Sequence, residues 1–381
     1  MKLNKMNILL LTKNLQQYAG SERQIFELYD YFKKHNHRVV VFAQNIGKPI
    51  ENHFEKQDIA TDSTQIKIEE FDFIWGQHLQ FLSLLPQLKP CTTRLFSVHL
   101  SPFLPIELAS APLMNELGAN FIANSNETKD KLITSGIVQD RITVSNNAAP
   151  DEYLISSPHT PLKKIAVISN HIPPEILAAV EILQKKYTVD VFGLQKQPIW
   201  ITPEIINQYD CLISIGKSIQ YGILCGKAVY VYDHFGGCGY LNAENYNQAR
   251  LYNFSGRDCE TKKNAEEIAR EIEIGYQENK KFVQQIDKKD YLLSEFINKI
   301  MQLPKVEITQ EKINRILPYQ NLISYTQNIE KNLEQNQRDL PNIIKELQQA
   351  SLKKIKYLNI MKIMGTLLGI CIFFILWLLF R

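Results

Sequence analysis

Residues 210–257 hold the chain's most chemically loaded spacing. The apolar run Cys211 to Ile215 ends at Gly216, and Lys217 and Ser218 open a helix predicted to run to Gly226. A strand that turns into a helix in this way presents unpaired amide N–H groups and the positive end of the helix dipole to an anion above the sheet. The phosphate of a nucleotide suits that position. A second apolar run, Ala228 to Tyr232, carries Asp233, His234, Phe235, Gly236 and Gly237 to the same carboxyl edge, where open α/β sheets bind ligands. An Asp, a His and two glycines after a buried strand read as a binding loop rather than a simple turn. Arg257 in NFSGR can pair with phosphate or tie its loop to Asp233.

Other polar residues stand at predicted strand ends or helix starts. His99 closes the strand LFSVHL and can act on a ligand or simply end a strand, and His78 in WGQH stands in a similar place. Asn170 and His171 end the first strand of the second half, where they can reach ligand or cap a helix. Gly20 and Ser21 open the first helix, either as a close approach for acceptor or phosphate or as an ordinary turn and N-cap.

Alternating strands and helices must position these groups. Strands are predicted at 6–12, 39–43, 71–75, 95–99, 121–124 and 142–145, with an amphipathic helix at 21–34 and another at 127–134. Residues 151–163 have linker composition, after which the rhythm restarts with strands at 164–169, 189–193, 211–215 and 228–232. Helices are predicted at 174–187, 265–276 and 281–301. The pattern is that of parallel βαβ units, so the expected fold class is α/β, with two tandem Rossmann-like domains at 1–150 and 164–303.

After Pro304 the composition turns to Asn, Gln, Lys, Glu and Ile without strand signal. Leu333, Leu340 and Leu347 recur every seven residues, interrupted by Pro341, which predicts a helical stalk at 304–358 able to self-associate. Residues 363–380 are uncharged and almost wholly apolar. As a helix they span about 27 Å, close to the roughly 30 Å hydrocarbon core of a bilayer, and so predict a membrane anchor within 359–381. Lys353, Lys354, Lys356 and Lys362 precede the span and Arg381 alone follows it, which predicts a single-pass C-terminal anchor with the large N-terminal part on the cytoplasmic side of the inner membrane.

The 381 residues are 45% hydrophobic and 22% charged, with a net charge of +3, too mild a balance to point to nucleic acid. Cys91, Cys211, Cys225, Cys238, Cys259 and Cys371 form no CxxC pair or Cys/His cluster, so neither a zinc site nor a disulfide framework is expected.

Over roughly residues 6–300 the chain resembles glycosyltransferases of the GT-B fold, near family 4 and related enzymes of bacterial cell-surface polysaccharide synthesis. Ala19-Gly20-Ser21-Glu22-Arg23-Gln24, followed by a helix and His37-Arg38-Val39-Val40-Val41, is similar to that family's Gly-Gly-x-Glu helix and Gly-His-x-Val strand. The run IANSNETKDKLITSGIVQDRITVSNNAAPDEYL resembles its interdomain pattern, and YDHFGGCGYL and NFSGR resemble donor-domain motifs of a subgroup.

The resemblance implies an acceptor domain, then a nucleotide-sugar donor domain, with retaining transfer in the cleft between them and no metal or other cofactor. It implies that His99 touches the transferred sugar. It also implies a Glu at the position of Tyr221 and another near Ile213, neither of which this chain has, and a cation pair after Ser169 that is likewise missing. Lys217 and Arg257 are the cations available to replace them. The expected function is a membrane-anchored glycosyltransferase acting on a glycan or lipid-linked acceptor. The alternatives are a GT-B scaffold that has lost its chemistry and recruits partners at the membrane, and a nucleotide-sugar epimerase.

Overall fold

The computed structural model describes residues 5–321 apart from 61, 104, 157, 159, 194–197 and 260, together with scattered positions between 324 and 345. The first sheet is built from β1 (Asn7–Leu15), β2 (Arg38–Ile46), β3 (Ile59–Ala60), β4 (Phe73–Gln77), β5 (Cys91–His99), β6 (Asn120–Ala123) and β7 (Ile142–Val144). Its order is β3-β2-β1-β4-β5-β6-β7, with all these neighbours parallel. That is the doubly wound arrangement, with the strand order reversing between β1 and β4.

The second sheet contains β8 (Lys164–Ile168), β9 (Thr188–Phe192), β10 (Cys211–Ser214), β11 (Ala228–Asp233) and β12 (Gly236–Tyr240). Its order is β12-β11-β10-β8-β9, reversing between β10 and β8. Both sheets are buried on both faces, which explains their continuous apolar runs. Ile8 and Leu10 enter one core while Leu9 and Leu11 enter the opposite one, as the two-residue period of a strand demands. Ala166 and Leu212 similarly face away from Ile165, Val167 and Ile213.

Three departures from the sequence expectations have physical causes. β12 runs antiparallel to β11, so part of the predicted loop is a hairpin. The helices predicted at 265–276 and 281–301 are instead one helix, Ala265–Gln285, started by a capping box between Asn264 and Glu267, and a separate helix, Leu293–Met301. The stalk predicted from 304 begins with a strand, β13 (Val306–Ile308), which pairs antiparallel with β5.

The chain crosses back from the second sheet to the first near residue 292. There the Ala149 N–H donates to the Tyr291 carbonyl and the Leu293 N–H donates to the Ala149 carbonyl, each at 2.8 Å. The helix Leu293–Met301 then buries Leu293, Phe296, Ile297 and Ile300 in a core of the first sheet, and Ile313 and Ile316 of the helix Gln310–Ile316 enter its other core. Residues 293–316 therefore close the first sheet's cores, although they were expected as the end of the second domain and the start of a stalk.

Among the described residues, no helix is long and apolar enough to cross a membrane. The span expected at 363–380 and most of the expected stalk lie outside the described residues.

Candidate functional site

Both reversal points open onto one cleft. After β1 the chain brings Tyr18, Ala19 and Gly20 to it; after β8 come Ser169, Asn170 and His171, and after β10 come Ile215, Lys217 and Ser218. The cleft has a volume of about 370 Å³ and also receives Arg23, Tyr221, Asp233 and His234.

Two helices begin at this cleft without a side-chain cap. The helix Gly20–Lys34 follows Ala19, and the helix Lys217–Leu224 follows Gly216, whose φ of 56° belongs to the left-handed region that favours glycine. Gly216 is held in place by its N–H donating to the Phe254 carbonyl at 3.0 Å. Each start leaves backbone donors available to an anion. Ser21 is turned away, its hydroxyl donating to Glu22 at 2.8 Å. Burial raises the Glu22 carboxyl above its usual range despite that bond.

The cations sought for a phosphate are engaged by protein groups. Lys217 lies under the cleft floor, where its ammonium pairs with Glu27 of the facing helix at 2.5 Å and donates to the Ala148 carbonyl at 3.1 Å. Burial pushes its pKa down while Glu27 opposes the shift. Tyr221, fully buried, donates its hydroxyl to the same carboxylate and stacks on Tyr153 with ring centroids 4.2 Å apart. Arg23 donates to the same Glu27 oxygen as Tyr221, at 3.3 Å, to the Tyr153 hydroxyl at 2.6 Å and to the Ile201 carbonyl, and its guanidinium lies 4.2 Å over the Trp200 ring.

Tyr221, predicted as a donor-binding position, thus turns its hydroxyl to the opposite domain. Glu27 and Arg23 were missed because their partners are distant in sequence, although Arg23 stood inside the quoted Ala19–Gln24 motif.

The Asp233 loop divides into two parts. Asp233 accepts from the Ser169 hydroxyl at 2.8 Å and from the His234 N–H at 2.7 Å, while Ser169 accepts from the His171 N–H at 3.0 Å. These bonds join the ends of β8 and β11 at the cleft, and the rings of His171 and His234 meet edge to face with centroids 5.8 Å apart.

Phe235, Gly236 and Gly237 do not line the cleft. The glycine pair exists because other backbone lies against it: a Cβ on Gly237 would sit 2.0 Å from the Val231 carbonyl oxygen, and one on Gly236 2.5 Å from that of Thr261. Arg257, expected at phosphate or Asp233, instead pairs with Glu127 at the start of the helix Asn126–Thr134, with its guanidinium 4.7 Å from the Phe103 ring.

His99 is not a cleft residue. Its Nδ1 bonds the Glu107 carbonyl at 2.7 Å, its Nε2 bonds the Ser97 hydroxyl at 2.9 Å, and its ring stacks on Phe121. Burial pushes its pKa down to about 4, so it is a neutral, satisfied core histidine. His78 has φ 57° and lies 3.3 Å from the Glu107 carboxylate. Burial would raise that carboxyl, but the hydrogen bond and charge of His78 bring it below the usual range.

The apolar wall of the cleft was not foreseen. Phe192, Pro198, Ile199 and Ile201 form it beside the end of β9. Phe192 belongs to a predicted strand, but the segment of Pro198, Ile199 and Ile201 carried no periodic signal and no motif.

No protein-family model and no curated protein matches the chain. Among solved structures, HepE of Anabaena in complex with UDP-glucose is 14% identical with a TM-score of 0.49, covering 78% of this chain and 98% of its own. The UDP-GlcNAc 2-epimerase of Neisseria meningitidis bound to UDP-GlcNAc is 15% identical with a TM-score of 0.43, over 78% of this chain and 99% of its own. The apo form of the lipopolysaccharide outer core galactosyltransferase WaaB is 12% identical with a TM-score of 0.39, over 73% and 99%.

Proposed function

We propose that this protein is a nucleotide-sugar-dependent glycosyltransferase of the GT-B arrangement, working in the cleft between its two sheets. One observation carries the reading: each sheet turns its reversal point, with a helix start that has no side-chain cap, toward the same cleft. Two such starts suit a diphosphate, whose charge they stabilise without a metal. The apolar wall beside Phe192 suits the nucleoside.

The donor phosphates sit at the amides of Lys217 and Ser218, and an acceptor hydroxyl approaches from the side of Gly20. The hydroxyl oxygen bonds to the anomeric carbon as the carbon–oxygen bond to the nucleoside diphosphate breaks. The departing phosphate takes the hydroxyl proton, with retention of configuration. His99 plays no part in this scheme. The apolar span 363–380 anchors the enzyme at the cytoplasmic face of the inner membrane, beside a glycan or lipid-linked acceptor in surface polysaccharide synthesis.

A second reading, a scaffold that binds nucleotide without transferring sugar, is favoured by the engagement of Lys217 with Glu27 and of Arg257 with Glu127. The two readings part experimentally. The full-length protein is melted against a panel of nucleoside diphosphates and their sugars, then incubated with the stabilising sugar nucleotide to follow release of the diphosphate. Stabilisation with release supports the transferase, stabilisation without release with any acceptor supports the scaffold, and no stabilisation by any nucleotide overturns both.

A further inference from the structure

Cys238 and Cys259 have no motif relation in sequence, yet the fold brings them together. β12 carries Cys238, and the loop after Ser255 lies across that strand. Gly237 donates its N–H to the Thr261 carbonyl at 3.1 Å, and Cys259 donates its own to the Gly256 carbonyl at 3.2 Å. In this arrangement the two Sγ atoms and a carboxylate oxygen of Asp258 all lie within 4.8 Å of one another.

One edge of this triangle, held by a hydrogen bond from the Cys259 thiol to Asp258, fits tetrahedral coordination. Cys259 Sγ and Asp258 Oδ2 are 3.5 Å apart. Zinc bonds of about 2.3 Å to sulfur and about 2.1 Å to carboxylate oxygen place two such ligands about 3.5 Å apart on a tetrahedral edge. A second observation also points to a ligand: Asp258 Oδ1 is buried and has no hydrogen-bond partner among the described residues. A buried carboxylate oxygen left unpaired is costly, and a cation relieves it. Both cysteines are partly exposed, so an ion can enter. Without one, burial and the Asp258 carboxylate push both thiols up.

We propose that Cys238, Asp258 and Cys259 bind a soft divalent cation, with zinc matching the donor set and distances. Binding converts two thiols to thiolates and releases their two protons to solvent, with no change of oxidation state. None of the three residues lines the cleft, so the ion is structural and takes no part in transfer. It clips the loop after Ser255 to β12 and thereby steadies Arg257, which reaches Glu127 of the other domain.

The test uses the full-length protein, reduced and stripped of metal, titrated with zinc against a chromogenic chelator. One ion should bind per chain with release of protons. Cys238→Ser and Cys259→Ser should each weaken binding by at least about tenfold, while Cys91→Ser should leave it unchanged. Cobalt in place of zinc should give the thiolate-to-cobalt charge-transfer absorption of a tetrahedral site, which reads the unmodified chain directly should a variant fold poorly. Failure of the reduced chain to hold zinc, absence of the cobalt band, or undiminished affinity in both cysteine variants would overturn the proposal.

Discussion

The ammonium of Lys217 lies 2.5 Å from the carboxylate of Glu27, a residue of the facing domain's first helix, with side-chain exposures of 11% and 3%. This pair, with Tyr221 and Arg23 around it, ties the helix that follows β10 to the first helix of the other sheet. It also means that the proposed phosphate site would rely on backbone amides, because Lys217 is already paired.

Breaking the pair from one side should be expensive. Glu27→Ala leaves a buried ammonium uncompensated and should lower the stability of the full-length protein by about 3–5 kcal/mol in chemical denaturation. The double variant Glu27→Ala with Lys217→Met should recover part of that loss, because it removes both charges together. A loss in the double variant equal to the sum of those of Glu27→Ala and Lys217→Met alone would show that the two residues do not interact.

Gly20 offers a cleaner probe of the amides. Ala19 is extended (φ −102°, ψ 171°) and a Cβ on Gly20 would meet nothing within 4 Å. Proline therefore fits there as the first helical residue while deleting one N–H. Gly20→Pro should keep or slightly raise the melting temperature and weaken binding of a phosphate-bearing ligand that uses this amide by about tenfold, the loss of one charge-assisted hydrogen bond. Gly20→Ala, which keeps the N–H, should also keep the melting temperature but leave binding unchanged. Calorimetry with the nucleotide found in the panel, and with acceptor, reads the difference.

The buried neutral state of His99 makes stability depend on pH. Its folded pKa, about 4, is below the 6.5 of an ordinary histidine, so the unfolded chain binds more protons between these values. Its contribution is complete above pH 6.5 and is lost as pH falls toward 4, up to about 3 kcal/mol at 1.36 kcal/mol per unit. His99→Gln can keep bonds to Ser97 and Glu107, and should flatten the fall in urea-denaturation stability over that window. Identical pH slopes for the two proteins would refute a neutral buried imidazole.

Gly237 should tolerate no side chain. A Cβ 2.0 Å from the Val231 oxygen cannot be relieved by rotating a side chain, so Gly237→Ala should cost about 3 kcal/mol or more and lower the melting temperature sharply. A variant with native stability would mean that the hairpin of β11 and β12 is arranged differently.

Much of the architecture was legible because its signals are local. Apolar runs such as Leu9–Leu11 and Cys211–Ile215 are buried on both sheet faces whatever their partners, and they were read as strands within a few residues of their observed ends. The turn at Gly216 was legible for the same reason, since a left-handed residue before a helix start is a property of neighbouring positions. β12 and β13 were not legible. Three of the five residues of one are glycine and the other is three residues long, and each is a strand only because β11 or β5 supplies its hydrogen bonds.

The candidate site divides along the same line. Sequence by itself determined the parallel α/β elements and the strand ends from which Gly20, Asn170, His171, Lys217, Ser218, Asp233 and His234 come. Only the tertiary structure decided that Lys217 and Tyr221 meet Glu27, that Arg257 meets Glu127, that Ser97 and Glu107 satisfy His99, and that Cys238 comes to Cys259. A residue's type and place on a strand or helix follow from its neighbours along the chain, whereas the partner that occupies its charge or hydrogen bonds is brought from far away by packing.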